Sequence, residues 1–221
     1  MNYYQIGIAI IAIVVLIVCA FNKTVKEGLT NSDTILLVGD SVLNNSNYVA
    51  FNESVESYLK EINGGGGNNV YNYAQDGATI TSCYSQLEKI PIDFNTSSTY
   101  IFISAGGNNL LKDNVNVDPS IVTKLFNDYW NFIDSVKIKL PNAHIVIINL
   151  YLPYGARYQI YKSAVEQWNQ LIVANMDKDG VHYNVIDLHK ALTTPDDFVY
   201  DIEPSPTAAK KIADAINATP Q

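Results

Sequence analysis

The sequence predicts an α/β fold, a parallel sheet covered on both faces by helices, and three observations carry that prediction. Short apolar runs alternate with longer segments whose apolar residues recur at helical spacing, from Thr34 to the carboxyl end. The runs are near-continuous rather than alternating, as strands buried on both faces require. The 221 residues, with no internal repeat, supply one domain with a substantial core.

The elements follow in order. Thr34 to Val38 is the first strand, and its run Ile35-Leu36-Leu37-Val38 ends in Gly39-Asp40-Ser41. Ligands of open parallel sheets bind at the carboxyl ends of the strands, which is where Ser41 falls. Ser54 to Ile62 reads as a helix with Val55, Leu59 and Ile62 on one face. The glycine run from Gly64 to Asn68 is read as a surface turn, because no Gly-Lys-Ser/Thr follows it and a strand comes next. Val70 to Ala74 is the second strand, Thr79 to Ile90 a helix ended by Pro91, and Thr99 to Ile103 the third strand. Asp118 caps a helix with Pro119 in its first turn and Val122, Leu125, Tyr129, Phe132 and Val136 along its buried stripe. His144 to Leu150 is the fourth strand and Tyr158 to Ala174 a helix carrying Tyr161, Val165, Trp168 and Ile172. Val181 to Ile186 is the fifth strand, and Ser205-Pro206 opens a last helix running to about Asn217.

Ahead of this domain (34–221) lie a polar linker, residues 23–33, and an uncharged apolar segment, residues 6–21. We read residues 1–22 as a single-pass transmembrane anchor with Tyr3 and Tyr4 at the interface, slightly shorter than the roughly 20 residues that span a bilayer. A cleaved signal peptide is the competing reading, supported by Val18-Cys19-Ala20 and opposed by the lack of a basic residue before the segment. Lys23 and Lys26 after the segment favour a cytoplasmic domain, whereas sequons such as Asn95-Thr96-Ser97 suit the other side, so the orientation stays open. Cys19 and Cys83 do not form an evident pair. The net charge of −8, with no run of Lys or Arg, argues against nucleic acid as a partner. No ligand cluster of the usual spacing implies a metal, and no cofactor is expected.

Three motifs follow predicted strands in order: Gly39-Asp40-Ser41, Gly77 within Gln75-Asp76-Gly77-Ala78, and Gly106-Gly107-Asn108. Together they resemble the SGNH, or GDSL, hydrolase superfamily over about Thr34 to Asn217. The resemblance implies a three-layer α/β/α sandwich with a five-stranded parallel sheet in the flavodoxin-like order 2-1-3-4-5. It also implies that Ser41 is the nucleophile, with the Ser41 and Gly77 N–H groups and the Asn108 side chain forming an oxyanion hole. Such donors suit ester cleavage, which builds negative charge on the carbonyl oxygen. A helix starting at Ser41 would add its positive end. Asn109 stands where the family usually carries Asp.

The departure is at the last motif, where the family has Asp-x-x-His-Pro and this chain has Tyr200-Asp201-Ile202-Glu203-Pro204-Ser205. Glu203 occupies the His position, and Asp201 takes the orienting acid's role if one residue is deleted. The Glu-Pro-Ser ending resembles that of SGNH-like proteins of large DNA viruses. His144 and His182 begin strands, at the wrong end of the sheet, and His189 lies three strands away, roughly 14 Å at ~4.8 Å per strand. Either Glu203 is the base, its pKa raised by burial and a like charge such as Asp201, or it is a solvated loop residue. The expected function is therefore a serine esterase acting on an ester-bearing small molecule, a lipid or an acetylated glycan. The alternative is a catalytically impaired module binding a glycan or lipid in the same cleft.

Overall fold

A computed structural model describes residues 28–64, 69–112, 118, 120–178 and 180–220. The expected apolar segment 6–21, the start of the linker, residues 65–68 of the glycine-rich turn and Pro119 lie outside the described residues. Among the described residues no helix is long and apolar enough to cross a membrane.

The five strands of the main sheet are β1 (Thr34–Gly39), β2 (Val70–Asn72), β3 (Thr99–Ser104), β4 (His144–Ile148) and β7 (Asn184–Ile186). Their order is β2-β1-β3-β4-β7 and every pairing is parallel. The two-residue period of a strand decides which core each residue enters. Leu36, Val38, Ile101, Ile103 and Ile147 face one cluster, and Ile35, Leu37, Phe102, Val146 and Ile148 the other. Helices α2 (Ile80–Lys89), α4 (Ser120–Lys139) and α5 (Lys162–Asn175) cover the first face, and α1 (Val55–Ile62) and α7 (Pro206–Asn217) the second. Trp168 of α5 is fully buried among Phe126 and Tyr129 of α4. Burial of such side chains, ~1.5–3 kcal/mol each for a large aliphatic or Phe, holds the three layers together. Packing begins before β1, because Leu29 is buried and its N–H donates to the Asn217 carbonyl at the end of α7.

The structure corrects three expectations. No helix follows Ser41: residues 40–44 make one turn, with the Leu43 and Asn44 N–H groups donating to the Asp40 carbonyl, and the first helix starts at Val55 under the Ser54 cap. Asn and Ser are weak helix formers, and here Asn44 Nδ2 donates to the Ala74 carbonyl and Asn45 Nδ2 to the Pro204 carbonyl, which ties the segment to distant backbone. The expected strand 181–186 is broken at Tyr183. Its first half, β6 (Val181–His182), turns back on β5 (Asp177–Lys178) through Gly180 at φ 73°, and only β7 joins the main sheet. The segment expected to be helical from Tyr158 begins as a 3-10 helix (Ala156–Tyr161) before α5. Two short helices, α3 (Gly107–Lys112) and α6 (Leu188–Ala191), and a hairpin of β8 (Phe198–Val199) with β9 (Glu203–Pro204), had no clear sequence signal.

Candidate active site

The carboxyl end of β1 is fixed by backbone contacts that tolerate no side chain at Gly39. Its φ is 140°, and a Cβ there would lie 1.8 Å from the Ser104 carbonyl oxygen on the paired strand. The fully buried Gln86 amide of α2 brackets the same residue. The Gly39 N–H donates to Gln86 Oε1, and Gln86 Nε2 donates to the Gly39 carbonyl, both at 2.8 Å. Asp40 and Ser41 thus leave the sheet from a rigid point, and both are buried, 3% and 8% exposed. Asp40 Oδ1 accepts from the Val42 N–H (3.2 Å) and the Ser104 hydroxyl (3.1 Å).

A buried Asn45 connects this turn to the segment bearing Glu203. Its Nδ2 donates to the Pro204 carbonyl and its Oδ1 accepts from the Val55 N–H. Glu203 lies on β9, paired to Val199, and the adjoining Ile202 carbonyl accepts from the Tyr151 hydroxyl at 2.8 Å. The base of the hairpin is anchored by Asp197, which is fully buried, pairs with Lys211 at 2.6 Å and accepts from the Thr194 N–H and hydroxyl. Asp197's carbonyl in turn accepts the Ser205 N–H. Tyr200 and Asp201 make the tip, at φ 51° and 68°.

Ser41, Asn108 and Glu203 line one cavity of about 70 Å³, together with Asp40 and Asn149. Its other walls are apolar, chiefly Val42, Leu110, Leu111, Leu150, Pro153 and Val165, and among the described residues no Lys, Arg or His lines it. Asn108 Nδ2 donates to the Ala78 carbonyl at 3.0 Å, tying the side chain to the loop that carries Gly77. Gly77 has φ 70°, and the space where its Cβ would stand is open. Asn109 Oδ1 accepts from the Ile80 N–H at the start of α2. An amide oxygen therefore fills there the acceptor's place that a carboxylate could hold.

Burial pushes the Glu203 carboxyl above its ordinary value, the nearby Asp76 charge adds to the rise, and interaction with the Ser41 hydroxyl opposes it. Glu203 Oε2 is buried and has no hydrogen-bond partner, while the Ser41 hydroxyl interacts with the same carboxylate as a hydrogen-bond donor. The like charge beside Glu203 is Asp76 rather than the expected Asp201. Asp201 is exposed at the hairpin tip, its carbonyl accepting from the Gly155 N–H. Asp76 is held by the Tyr48 hydroxyl at 2.8 Å. Burial, opposed by the Val42 and Ser104 donors and reinforced by the Glu203 charge, pushes Asp40 up to about 7. In the sequence Asp40 carries no signal of its own beyond its place in Gly39-Asp40-Ser41, although it adjoins Ser41. Asn45 and Gln86 carry no local signal, because their partners lie far along the chain.

None of the three histidines lines the cavity. His144 stacks on Tyr100 and bonds the Ser97 carbonyl at the amino edge of the sheet. His182 pairs with Asp177 on the β5–β6 hairpin. His189 lies in a separate groove with Tyr154, Lys162 and Phe198. Among the described residues no group of three or more His, Cys, Asp or Glu converges as a metal site needs.

Residues 35–216 match the family model described as GDSL-like Lipase/Acylhydrolase. No curated protein matches the chain. Several solved structures share the fold. A member of the lipolytic G-D-S-L family from Veillonella parvula superposes with a TM-score of 0.65 at 16% identity, covering 83% of this chain and 96% of that one. Phospholipase A1 from Streptomyces albidoflavus gives 0.63 at 13% identity, covering 84% and 98%. The psychrotrophic esterase EstA from Pseudoalteromonas, in a structure inhibited by monoethylphosphonate, gives 0.56 at 18% identity, covering 84% and 94%.

Proposed function

The chain belongs to the GDSL-like lipase/acylhydrolase family, and from that premise we propose that it is a carboxylic ester hydrolase working through a Ser41 acyl-enzyme with Glu203 as the base. The observation that carries the reading is the meeting of Ser41 and a half-buried, incompletely partnered Glu203 in one cavity. In the acylation step Ser41 Oγ attacks the ester carbonyl, and its proton passes to Glu203 as the carbonyl π pair moves onto oxygen. The Gly77 N–H, the Ser41 N–H and Asn108 Nδ2 receive that oxyanion. On collapse the alcohol leaves with the proton from Glu203. Water, deprotonated by the same carboxylate, then attacks the acyl carbonyl, the Oγ–C bond breaks, and Ser41 Oγ leaves with the proton from Glu203 as the acid is released. An ordinary Glu, pKa about 4.3, is a weak acceptor for a serine proton, and burial with the Asp76 charge brings Glu203 closer to a useful basicity.

The apolar walls beside Ser41 favour a short hydrocarbon acyl group over an acetylated glycan. A membrane tether through residues 6–21 is proposed on the sequence alone, and sequencing the mature amino terminus tests it, since a start at Phe21 would mean a cleaved signal. The activity is tested with p-nitrophenyl butyrate and with a phosphonate ester that traps nucleophilic serines, such as the ethyl phosphonate type. Hydrolysis and a stoichiometric adduct on Ser41, both lost in Ser41→Ala, support the reading. Binding of the ester with neither turnover nor adduct would indicate the silent module.

A further inference from the structure

Two carboxyl groups, Asp40 and Glu203, line the cavity of the nucleophile, and among the described residues no cationic side chain lines it with them. Ionising both would place two like charges in a largely apolar enclosure with no counter-ion among its described lining residues, which is strongly unfavourable. We propose that Asp40 and Glu203 share one negative charge, and that a neutral Asp40 beside Ser41 keeps the site's charge constant during proton transfer, so that its ionisation sets the alkaline limit of activity. The proposal rests on the reading of Glu203 as the base.

The charge balance explains why a neutral neighbour helps. Before attack the site holds Glu203 carboxylate, neutral Asp40 and neutral Ser41. After attack the Ser41 Oγ–H bond has broken, the proton sits on Glu203, Oγ–C has formed, and the negative charge is on the ester oxygen. The total stays at one negative charge. An ionised Asp40, adjacent in sequence to the attacking serine, would repel the developing oxyanion and oppose the oxyanion hole.

Which carboxyl keeps the proton follows from their surroundings. Asp40 is almost wholly enclosed, whereas Glu203 is half-buried and meets the Ser41 hydroxyl. Glu203 therefore ionises first, and Asp40 loses its proton near pH 7. The other titratable groups facing Asp40 are Cys83 of α2, Tyr129 of α4 and Tyr151 after β4, besides Glu203 itself. Burial pushes the Cys83 thiol up to about 12 and both phenols above their ordinary value, so none of them changes charge between pH 5 and 9.

The test is the pH profile of kcat/KM for p-nitrophenyl butyrate with the full chain in detergent, read at the isosbestic wavelength of p-nitrophenol. The wild type is expected to show a rising limb from Glu203 and a falling limb near pH 7. Asp40→Asn is expected to keep the rising limb and lose the falling one, so that the ratio of variant to wild type climbs roughly tenfold per pH unit above 7. Ser104→Ala removes a donor to the ionised Asp40 and is expected to move the falling limb to higher pH, which decides the matter if Asp40→Asn does not fold. A wild type without the limb, a limb that persists in Asp40→Asn, or uniform loss across pH would overturn the proposal. Activity that survives Ser41→Ala would instead remove the esterase reading beneath it.

Discussion

The buried Asp40 makes a prediction about stability that needs no substrate. Its carboxyl has a pKa of about 7 in the folded protein against an ordinary value of 3.8. A raised acid binds more protons folded than unfolded between those two values, so stability falls as pH rises through that window. Below pH 4 both states are protonated and nothing is lost. Above pH 7 both are ionised and the loss is complete. Across roughly three pH units at about 1.4 kcal/mol per unit, the loss is about 4 kcal/mol. Asp187 and Asp197 work in the opposite direction, since hydrogen bonds from Asn149 and Lys190 and from Lys211 and Thr194 hold them below the usual range despite burial. A wild-type curve alone would mix these contributions. The difference between Asp40→Asn and wild type isolates Asp40 together with its coupling to Glu203, because the remaining carboxyls are common to both. Urea unfolding of each at pH 4 and pH 8, with linear extrapolation to water, is the assay. The variant is expected to gain about 4 kcal/mol relative to wild type between the two pH values. A difference that stays flat within about 1 kcal/mol would refute the placement of a neutral acid beside Ser41.

Two further variants probe the surrounding machinery. Asn108→Ala should lower kcat by about 10²–10³ at unchanged fold, as loss of one oxyanion donor does, and steady-state kinetics beside a far-UV spectrum would show it; a change confined to KM contradicts that role. Lys211→Met leaves the Asp197 carboxylate buried without its cation but still bonded by Thr193 and Thr194, a loss of about 1–3 kcal/mol in urea unfolding, and by loosening the Glu203 hairpin it should also lower kcat.

Much of the architecture was legible because parallel strands buried on both faces are written as uninterrupted apolar runs. Ile35 to Val38 and Tyr100 to Ile103 need no tertiary information to be recognised. Ser205-Pro206 likewise marks the start of α7, since a Ser cap and a Pro in the first turn act locally. Positions decided by distant partners were not legible. The break at Tyr183 depends on its packing against Trp130 and its N–H bond to the Met176 carbonyl. The turn after Ser41 is bound to Pro204 through Asn45, across more than half the chain. The acid that perturbs Glu203 is Asp76, brought there from the loop after β2, whereas proximity in sequence pointed to Asp201. Gly39 marked the end of β1 in the sequence, but the Gln86 amide that holds it there is visible only in three dimensions.

The central claim is that Glu203 takes the proton of Ser41. Its most direct test is kcat/KM of Glu203→Gln against wild type on p-nitrophenyl butyrate, with folding verified for both. Gln keeps the shape and one acceptor oxygen but cannot hold the proton. A loss of about 10⁴-fold or more is expected, as for removal of a base from a serine catalytic unit. Retention of activity within about tenfold would contradict it and place the base elsewhere.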